Sequence, residues 1–529
     1  MNSNCLTNID TQIYFYHNMI VKQIGDKMLF DVAVVGMGPV GATLANLLAR
    51  YGLTVAVLER EAAPFPLPRA VHFDAECMRV FDAIGVSTEV ASACHVSPGM
   101  KFVNAEGQLL VNWPRPDGVG PQGWHSSYRF HQPDLEQTLR RALSQQPAVC
   151  LRTRCEVYAI EEGPSHVTLR FEDLACGKLS AIDAAYVIGA DGARSLVRRL
   201  IGSEMADLGL HERWLVFDAV LKRPWSVLGD HSVQFCDPSR PSTYVRGVGN
   251  RRRFEIMLSP EEDATEMARP EAVWSLIQKW MTPEDADLER AVVYTFHALV
   301  AHRWRRGRLL LAGDSAHQTP PFLGQGLCAG IRDAANLAWK LAAVLQHGAC
   351  ETLLDTYQEE RAPHVSEFIR LAVELGGIIQ ARDPAAAAER DRRLAAAPRQ
   401  MQSLNPRLGD SALRLCEHVS GMVSAQPVLS SGIRLDTRAD CNFAVLAKPG
   451  LLGESQRDAL QELYSYPVTI IEDDSLETAQ WLDALGAAAV VIRPDRYVFG
   501  TASTPAQLQA LLVRLNEALQ GAAATVTAD

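Results

Sequence analysis

At 529 residues the chain has room for about three domains and a large buried core, and 47% hydrophobic with 21% charged residues excludes disorder as its main state. Lys and Arg number 51 against 62 Asp and Glu, and the net charge of −11 disfavours non-specific binding to nucleic acid or anionic lipid. The 11 cysteines include no CxxC pair, so neither a zinc site nor a dithiol centre is indicated, no metal is expected, and a reduced cytoplasm is the simplest compartment.

Residues 1–29 are expected to form a flexible extension: they lack the basic-then-apolar layout of a signal segment, and Met28 is a second candidate start. Residues 30–35 predict a buried parallel strand, 39–51 a helix and 53–59 a second strand, together one βαβ unit. Residues 32–49 carry no charge, but Gly36, Gly38, Pro39 and Gly41 break them as a membrane span. Further short strands are predicted at 186–190 and 308–312. Between these, 214–221, 232–235, 244–247 and 253–258 predict an inserted antiparallel sheet able to wall a pocket. Apolar residues at helical spacing predict a helix over 330–345, and 381–400 reads as a solvated helix or linker before a domain boundary. The final segment predicts strands at 442–447, 467–471 and 487–492 and helices at 455–464 and 504–520.

Three motifs carry chemistry. Gly36-Met-Gly38-Pro-Val-Gly41 lies between strand and helix, with Glu59 ending the next strand. Glycines allow a tight turn and close approach of a pyrophosphate, the helix N-terminus meets its charge, and the acid accepts from ribose hydroxyls. The alternative is a tight-packing glycine turn. Asp191-Gly192 follows a short apolar strand and reads equally as a capped β-turn. The run from Gly313-Asp314 through His317, Pro320, Pro321, Gly324 and Gly326 enters a helix directly; an acid at a strand end can bind a sugar hydroxyl, and glycines before a helix expose N–H groups to an anion or an electron-rich ring edge. His317 reads as a structural hydrogen-bonding group, and Arg251-Arg252-Arg253 as a solvated turn.

In this order and at these separations the motifs resemble those of the single-component flavoprotein aromatic hydroxylases that share the p-hydroxybenzoate hydroxylase fold, over about residues 30–375. Within that family the chain looks most like the 3-(3-hydroxyphenyl)propionate hydroxylases and related phenol and polyketide hydroxylases, through Pro68-Arg69-Ala70-Val71, Tyr128 to Glu136, Asn336 to Lys340 and Val491 to Tyr497. The resemblance implies an α/β fold: a Rossmann-like FAD-binding domain (30–200 and 295–375, with part of the substrate region at 90–130), an inserted antiparallel-sheet substrate domain (201–294), a helical connection (376–430) and a thioredoxin-like C-terminal domain (431–529).

Carried over by position, the resemblance assigns the ADP half of FAD to Gly36, Gly38, Gly41 and Glu59, with Arg69 near the pyrophosphate and Gln132 at the cofactor's middle. It assigns Asp191 and Gly192 to FAD and nicotinamide binding, Asp314 to the ribityl chain, Gly324, Gly326 and Leu327 to the flavin ring, and Pro321 to its oxygen-reactive side. It implies reduction by NADH or NADPH, addition of O2 at flavin C4a and oxygen transfer to a phenol, most closely a 3-(3-hydroxyphenyl)propionate-like acid in catabolism; a polyketide or quinolone hydroxylase, and a non-hydroxylating FAD protein or scaffold, are the rival readings. Tyr128, Tyr244, Phe254 and Phe322 are aromatic candidates for the substrate wall, and His297 is the candidate base, since an imidazole titrates near neutrality. Core packing is the alternative for each. The expected partners are thus a small aromatic substrate and O2, with a homodimer as the default assembly.

Overall fold

The computed structural model describes residues 22–24, 27–453 and 466–521. The predicted helix over 455–464 therefore lies outside the described residues, as does the expected N-terminal extension apart from residues 22–24 and 27–29. The first strand, Lys27–Val35, starts earlier than expected, because Lys22–Ile24 folds back and pairs with Lys27–Leu29. Val32 to Val35 are buried on both faces, as a central parallel strand requires: Val55–Glu59 pairs on one side and Lys178–Gly189 on the other. Val149–Thr153 lies beyond Val55–Glu59, and Leu309–Leu311 runs parallel beside Gly189. The strand ending at Gly189 is longer than predicted. It closes an antiparallel meander with Cys155–Glu162 and Val167–Asp173, whose exposed positions break up the apolar runs that mark a strand in sequence.

Five helices organise the site: α1 (Pro39–Arg50), α2 (Ala75–Ala83), α3 (Gln132–Ser144), α4 (Gly326–Gln346) and α5 (Asp355–Ile379). Strand His72–Asp74 leads into α2, and strand Ser127–Arg129 precedes α3; the two pair in a small three-stranded sheet.

The predicted antiparallel sheet is present and larger than expected. Its central strands are Met205–Leu221, Arg251–Met257 and Ala286–Ala301, and Gly99–Val103, Leu109–Pro114 and Arg399–Gln400 extend it. Side chains alternate between its faces. Leu215, Phe217, Phe254 and Ile256 pack on the helix Pro270–Ile277, whereas Trp214, Val216 and Asp218, paired with Met257, Glu255 and Arg253, take the opposite face. That inner face meets the first domain: Arg253 donates to the Pro68 and Arg69 carbonyls at 2.6 and 2.7 Å. The arginine run is thus not a solvated turn; Arg252 and Arg253 are buried strand residues, and Arg253 and Arg290 share Asp218. Most of 381–400 forms the helix Pro384–Ala396. Among the described residues no helix is long and apolar enough to cross a membrane.

The C-terminal sheet runs in the order Val468–Glu472, Phe443–Ala447, Ala489–Ile492, Val498–Ala502, with the first pair parallel and the others antiparallel, the mixed arrangement of a thioredoxin-like domain; α6 (Pro505–Leu519) packs on it. Its loop 493–497 reaches α4 and α5 of the first domain. Glu360 of α5 accepts from Lys340 (2.7 Å), Asn336 (2.8 Å) and Arg493 (2.7 Å), and Asp495 accepts from Asn336, Trp339 and Arg493. All of these side chains are buried. Arg79 forks onto Asp436 at 2.7 and 2.9 Å, and the Tyr497 hydroxyl donates to Glu76 at 2.6 Å.

Burial opposes ionisation of Glu360, yet Arg493 and Lys340 outweigh it and hold the carboxyl well below the usual range, while burial pushes Lys340 down to about 8. Removing one member of such a network leaves the others uncompensated, so Glu360→Gln should destabilise the protein by about 3–5 kcal/mol. Because the folded pKa is depressed, the contribution of Glu360 is complete above its unfolded pKa of about 4.3 and is lost as pH falls. Thermal unfolding followed from pH 7 to pH 3 should show the gap between wild type and Glu360→Gln narrowing below about pH 4.3.

Candidate FAD site

The glycine turn is built for close approach at one position and for tight packing at the others. Gly36 has φ +97°, and a Cβ there would lie 2.4 Å from the Ala190 carbonyl oxygen; one on Gly41 would lie 2.1 Å from the Gly36 carbonyl oxygen. A Cβ on Gly38 would meet nothing within 4 Å. Gly38 is also the N-cap of α1, which has neither a side-chain cap nor an acid in its first turn, so the helix presents unfilled N–H groups and its positive end there. Glu59 closes the turn, accepting from the Met37 and Glu61 N–H groups at 2.7 Å each.

Opposite lies the N-terminus of α4. Gly330 and Gly313 let it approach α1: a Cβ on either would come within 3 Å of the Val40 side chain, at 2.4 and 2.9 Å. Like α1, α4 has no side-chain cap and no acid in its first turn, and it begins at Gly326 and Leu327. Before it, Pro321–Leu323 forms a single 3-10 turn closed by the Gly324 N–H on the Pro321 carbonyl at 2.8 Å, with Gly324 at φ +64°. Between the helices Asp314 is exposed and has no hydrogen-bond partner among the described residues, although surrounding protein raises its pKa against the pull of His317 and Arg69. His317 is buried and tied to Asp333 at 2.6 Å, and Asp333 also takes Arg361.

Other expected cofactor residues have protein partners. Asp191 accepts from the Leu196 N–H at 2.7 Å and from Ser315 Oγ at 3.0 Å, and Ser315 Oγ in turn accepts from the Gly192 N–H, so the Asp-Gly turn caps a helix and binds the Asp314 loop. The buried Gln132 amide accepts from the Arg69 and Ala70 N–H groups at 3.0 and 2.7 Å and donates to Glu136, thereby setting the course of the 68–70 segment. The Arg69 side chain is exposed, 5.1 Å from the Phe65 ring centre.

The aromatic candidates do not converge on one pocket. Tyr128 stacks on Phe73 at 5.3 Å in the core. Tyr244 and Phe254 pack with each other and with the Pro270–Ile277 side of the second sheet. Only Phe322 lies on the loop that leads into α4, edge-on to Trp214 at 5.6 Å. His297 takes the face opposite Trp214 and Tyr294, where it bonds His211 at 2.8 Å, and His211 bonds Asp207 at 2.6 Å, in a surface chain. Burial and the neighbouring His211 lower the His297 pKa. In three of these cases the adjacent residue takes the opposite, inward parity: Arg129 beside Tyr128, Thr243 beside Tyr244, and Arg253 and Glu255 flanking Phe254. Polar residues at alternate positions in otherwise apolar runs were the available signal.

Comparison with known proteins places this architecture. The FAD binding domain model matches residues 30–372 and the HcaD C-terminal domain model residues 433–518. The chain is 37% identical over 508 residues to a probable NADH-specific resorcinol 4-hydroxylase of Rhodococcus jostii, covering 92% of this chain and 94% of that protein. It is 40% identical over 520 residues to a 3-(3-hydroxy-phenyl)propionate/3-hydroxycinnamic acid hydroxylase of Burkholderia vietnamiensis, covering 88% and 93%. In fold it superposes on the flavin-dependent monooxygenase PieE (TM-score 0.80, 23% identity, 94% of this chain and all of that one) and on aklavinone-11 hydroxylase (TM-score 0.76, 24% identity, 93% and all). The chain belongs to the FAD-dependent aromatic hydroxylases with an FAD binding domain and an HcaD-type C-terminal domain.

The residues present fit FAD: one glycine leaves the pyrophosphate side of α1 open, two uncapped helix ends face the crevice, and a free carboxylate lies between them. Gly38→Val should therefore yield a folded but colourless protein, with FAD affinity reduced at least about tenfold and apo-protein melting unchanged. Gly41→Ala should lower the melting temperature itself. FAD content by absorbance and melting of the apo-proteins check both.

Proposed function

We propose that this chain consumes NADH or NADPH and O2 to hydroxylate a phenolic ring bound between the second sheet and the loop 320–327, and that the substrate is a 3-(3-hydroxyphenyl)propionate-like aromatic acid. The observation that carries this reading is the pairing of an uncapped α4 N-terminus with an inner sheet face that is apolar at Trp214 and Val216 and polar at Thr243, Glu255 and Arg253. The two relatives above support it, since both are named for substrates with a hydroxylated ring.

In this reading Gly36, Gly38, Gly41 and Glu59 hold the ADP half of FAD, Asp314 takes a ribityl hydroxyl, and Gly324, Gly326 and Leu327 lie along the ring edge. Bound FAD supplies hydride acceptance from the nicotinamide and activation of O2. The α4 N-terminus stabilises negative charge on the ring edge it faces, Pro321 and Phe322 shape the side where substrate sits, and the inner sheet face excludes water. A single glycine fingerprint leaves the nicotinamide without a domain of its own. A reduced cytoplasm suits the described cysteines, all free thiols, and a homodimer is the assembly to test by sedimentation.

Anaerobic stopped-flow reduction by NADH and by NADPH, with and without phenolic acids and followed by mixing with oxygen, tests the reading. A phenolic acid should accelerate flavin reduction and emerge carrying one more hydroxyl group. If no small phenol accelerates reduction and oxygen yields only peroxide, the small-phenol reading fails.

A further inference from the structure

Arg129 is 6% exposed and ends the strand Ser127–Arg129, paired in register with His72. His72 Nδ1 lies 3.1 Å from the carbonyl oxygen of Gly324, in the loop that leads into α4. The Arg129 side chain thus lies between that loop and the second sheet, where Nη2 donates to Ser232 Oγ at 2.7 Å. This is its one hydrogen-bond partner among the described residues, and no carboxylate there forms an ion pair with it. A guanidinium carries five N–H donors, and a buried one ordinarily has an anion.

A second guanidinium shares the region. Arg115 follows the strand Leu109–Pro114 of the same sheet, lies 4.4 Å from the Trp113 ring centre and donates to Ser403 Oγ at 2.7 Å, again with no carboxylate in ion-pair range among the described residues. The buried Trp113 Nε1–H is also without an acceptor. Burial lowers both arginines to about 10, and Arg115 further lowers Arg129; burial, reinforced by both arginines, holds His72 down to about 3, so His72 is neutral at physiological pH. The acids nearby form no ion pair with either arginine among the described residues. Asp74 is bound to Arg332 at 2.5 Å, and Glu255 is in electrostatic range of Arg129, with burial raising its own pKa. One unfilled donor, the Trp113 Nε1–H, and two guanidinium groups without an ion-pair partner among the described residues, Arg129 buried and Arg115 half-buried, therefore lie on the side of the second sheet that meets the loop before α4.

We infer that Arg129 and Arg115 form the dock for the substrate's carboxylate, placing the acid end of the side chain against the sheet and leaving the phenolic ring to face the flavin loop. The inference rests on the hydroxylase reading and narrows it to aromatic acids as against neutral phenols. A cofactor phosphate is not the ligand in this arrangement, because the open glycine turn at α1 provides for it and Arg129 belongs to the ring side, through His72 and Gly324.

Calorimetry on the FAD-loaded protein with 3-phenylpropionate and its uncharged amide tests the dock without turnover. Wild type should prefer the acid. Arg129→Met and Arg115→Met should each weaken acid binding roughly 10- to 100-fold and leave amide binding within about twofold, while Arg129→Lys restores part of the preference. In turnover, KM for 3-(3-hydroxyphenyl)propionate should rise in the Met variants with little change for resorcinol. The dock is overturned if wild type binds acid and amide equally, if the variants weaken both alike, or if they lose FAD, which would make the arginines cofactor ligands. Should Arg129→Met fail to fold, Arg129→Lys and Arg115→Met carry the same comparison. Failure of the hydroxylase reading is a separate result: arginine-dependent acid binding with no phenol accelerating flavin reduction.

Discussion

Two helices can direct their positive ends into one crevice only if nothing projects between them, and the site depends on that constraint. Helices α1 and α4 meet over Val40, where Gly313 and Gly330 leave no room even for a methyl group, and the Gly36 to Gly41 turn packs equally tightly on Ala190. Against this crowding Gly38 alone faces open space. The same close approach aligns two sets of unfilled N–H groups, so packing and electrostatics are one feature. Behind them Asp191 and Ser315 bind the two loops together, and Asp333 gathers His317, Arg361 and the Gly313 N–H.

The C-terminal domain supports the far side of α4. Its Arg493 and Asp495 complete a buried ionic network with Glu360, Lys340 and Asn336, and Arg79 and Tyr497 add contacts to α2. Charges buried this deeply are tolerable only in each other's company, so α4 and the tail domain are energetically joined. The domain's Cys441 has no CxxC partner, and burial raises its thiol to about 11, poor credentials for redox exchange. Holding α4 in place is the work its geometry supports.

The glycine fingerprint, the strand before it and α1 were legible because local chemistry dictates them: a β-branched run, a positive-φ glycine and a helix-starting proline. The inner face of the second sheet was not. Choosing aromatic residues selected Tyr128, Tyr244 and Phe254, which pack in the core, because a ring is as useful there as in a pocket. Their neighbours Arg129, Thr243 and Glu255 face inward by the strand's period of two. Residue type is a weak guide to which face a side chain takes, and parity a better one once the strand is known. Likewise Arg251 to Arg253 suggested a solvated turn, since a charge run gives no sign that Asp218, 35 residues from Arg253, waits across the sheet.

What the sequence by itself determined is the class of protein: a single dinucleotide crevice at the end of a parallel strand, an inserted sheet and an appended small domain, each signalled by short stretches whose backbone demands are local. What only the tertiary structure decided is which side chains share the space over that crevice. Arg129, His72 and Gly324 come from separate stretches of the chain and, with Arg115, come together only where the small three-stranded sheet, the second sheet and the loop before α4 meet. Their significance lies in unpaired charge, and whether a buried cation has a partner is a property of the assembled interior that no short stretch of residues encodes.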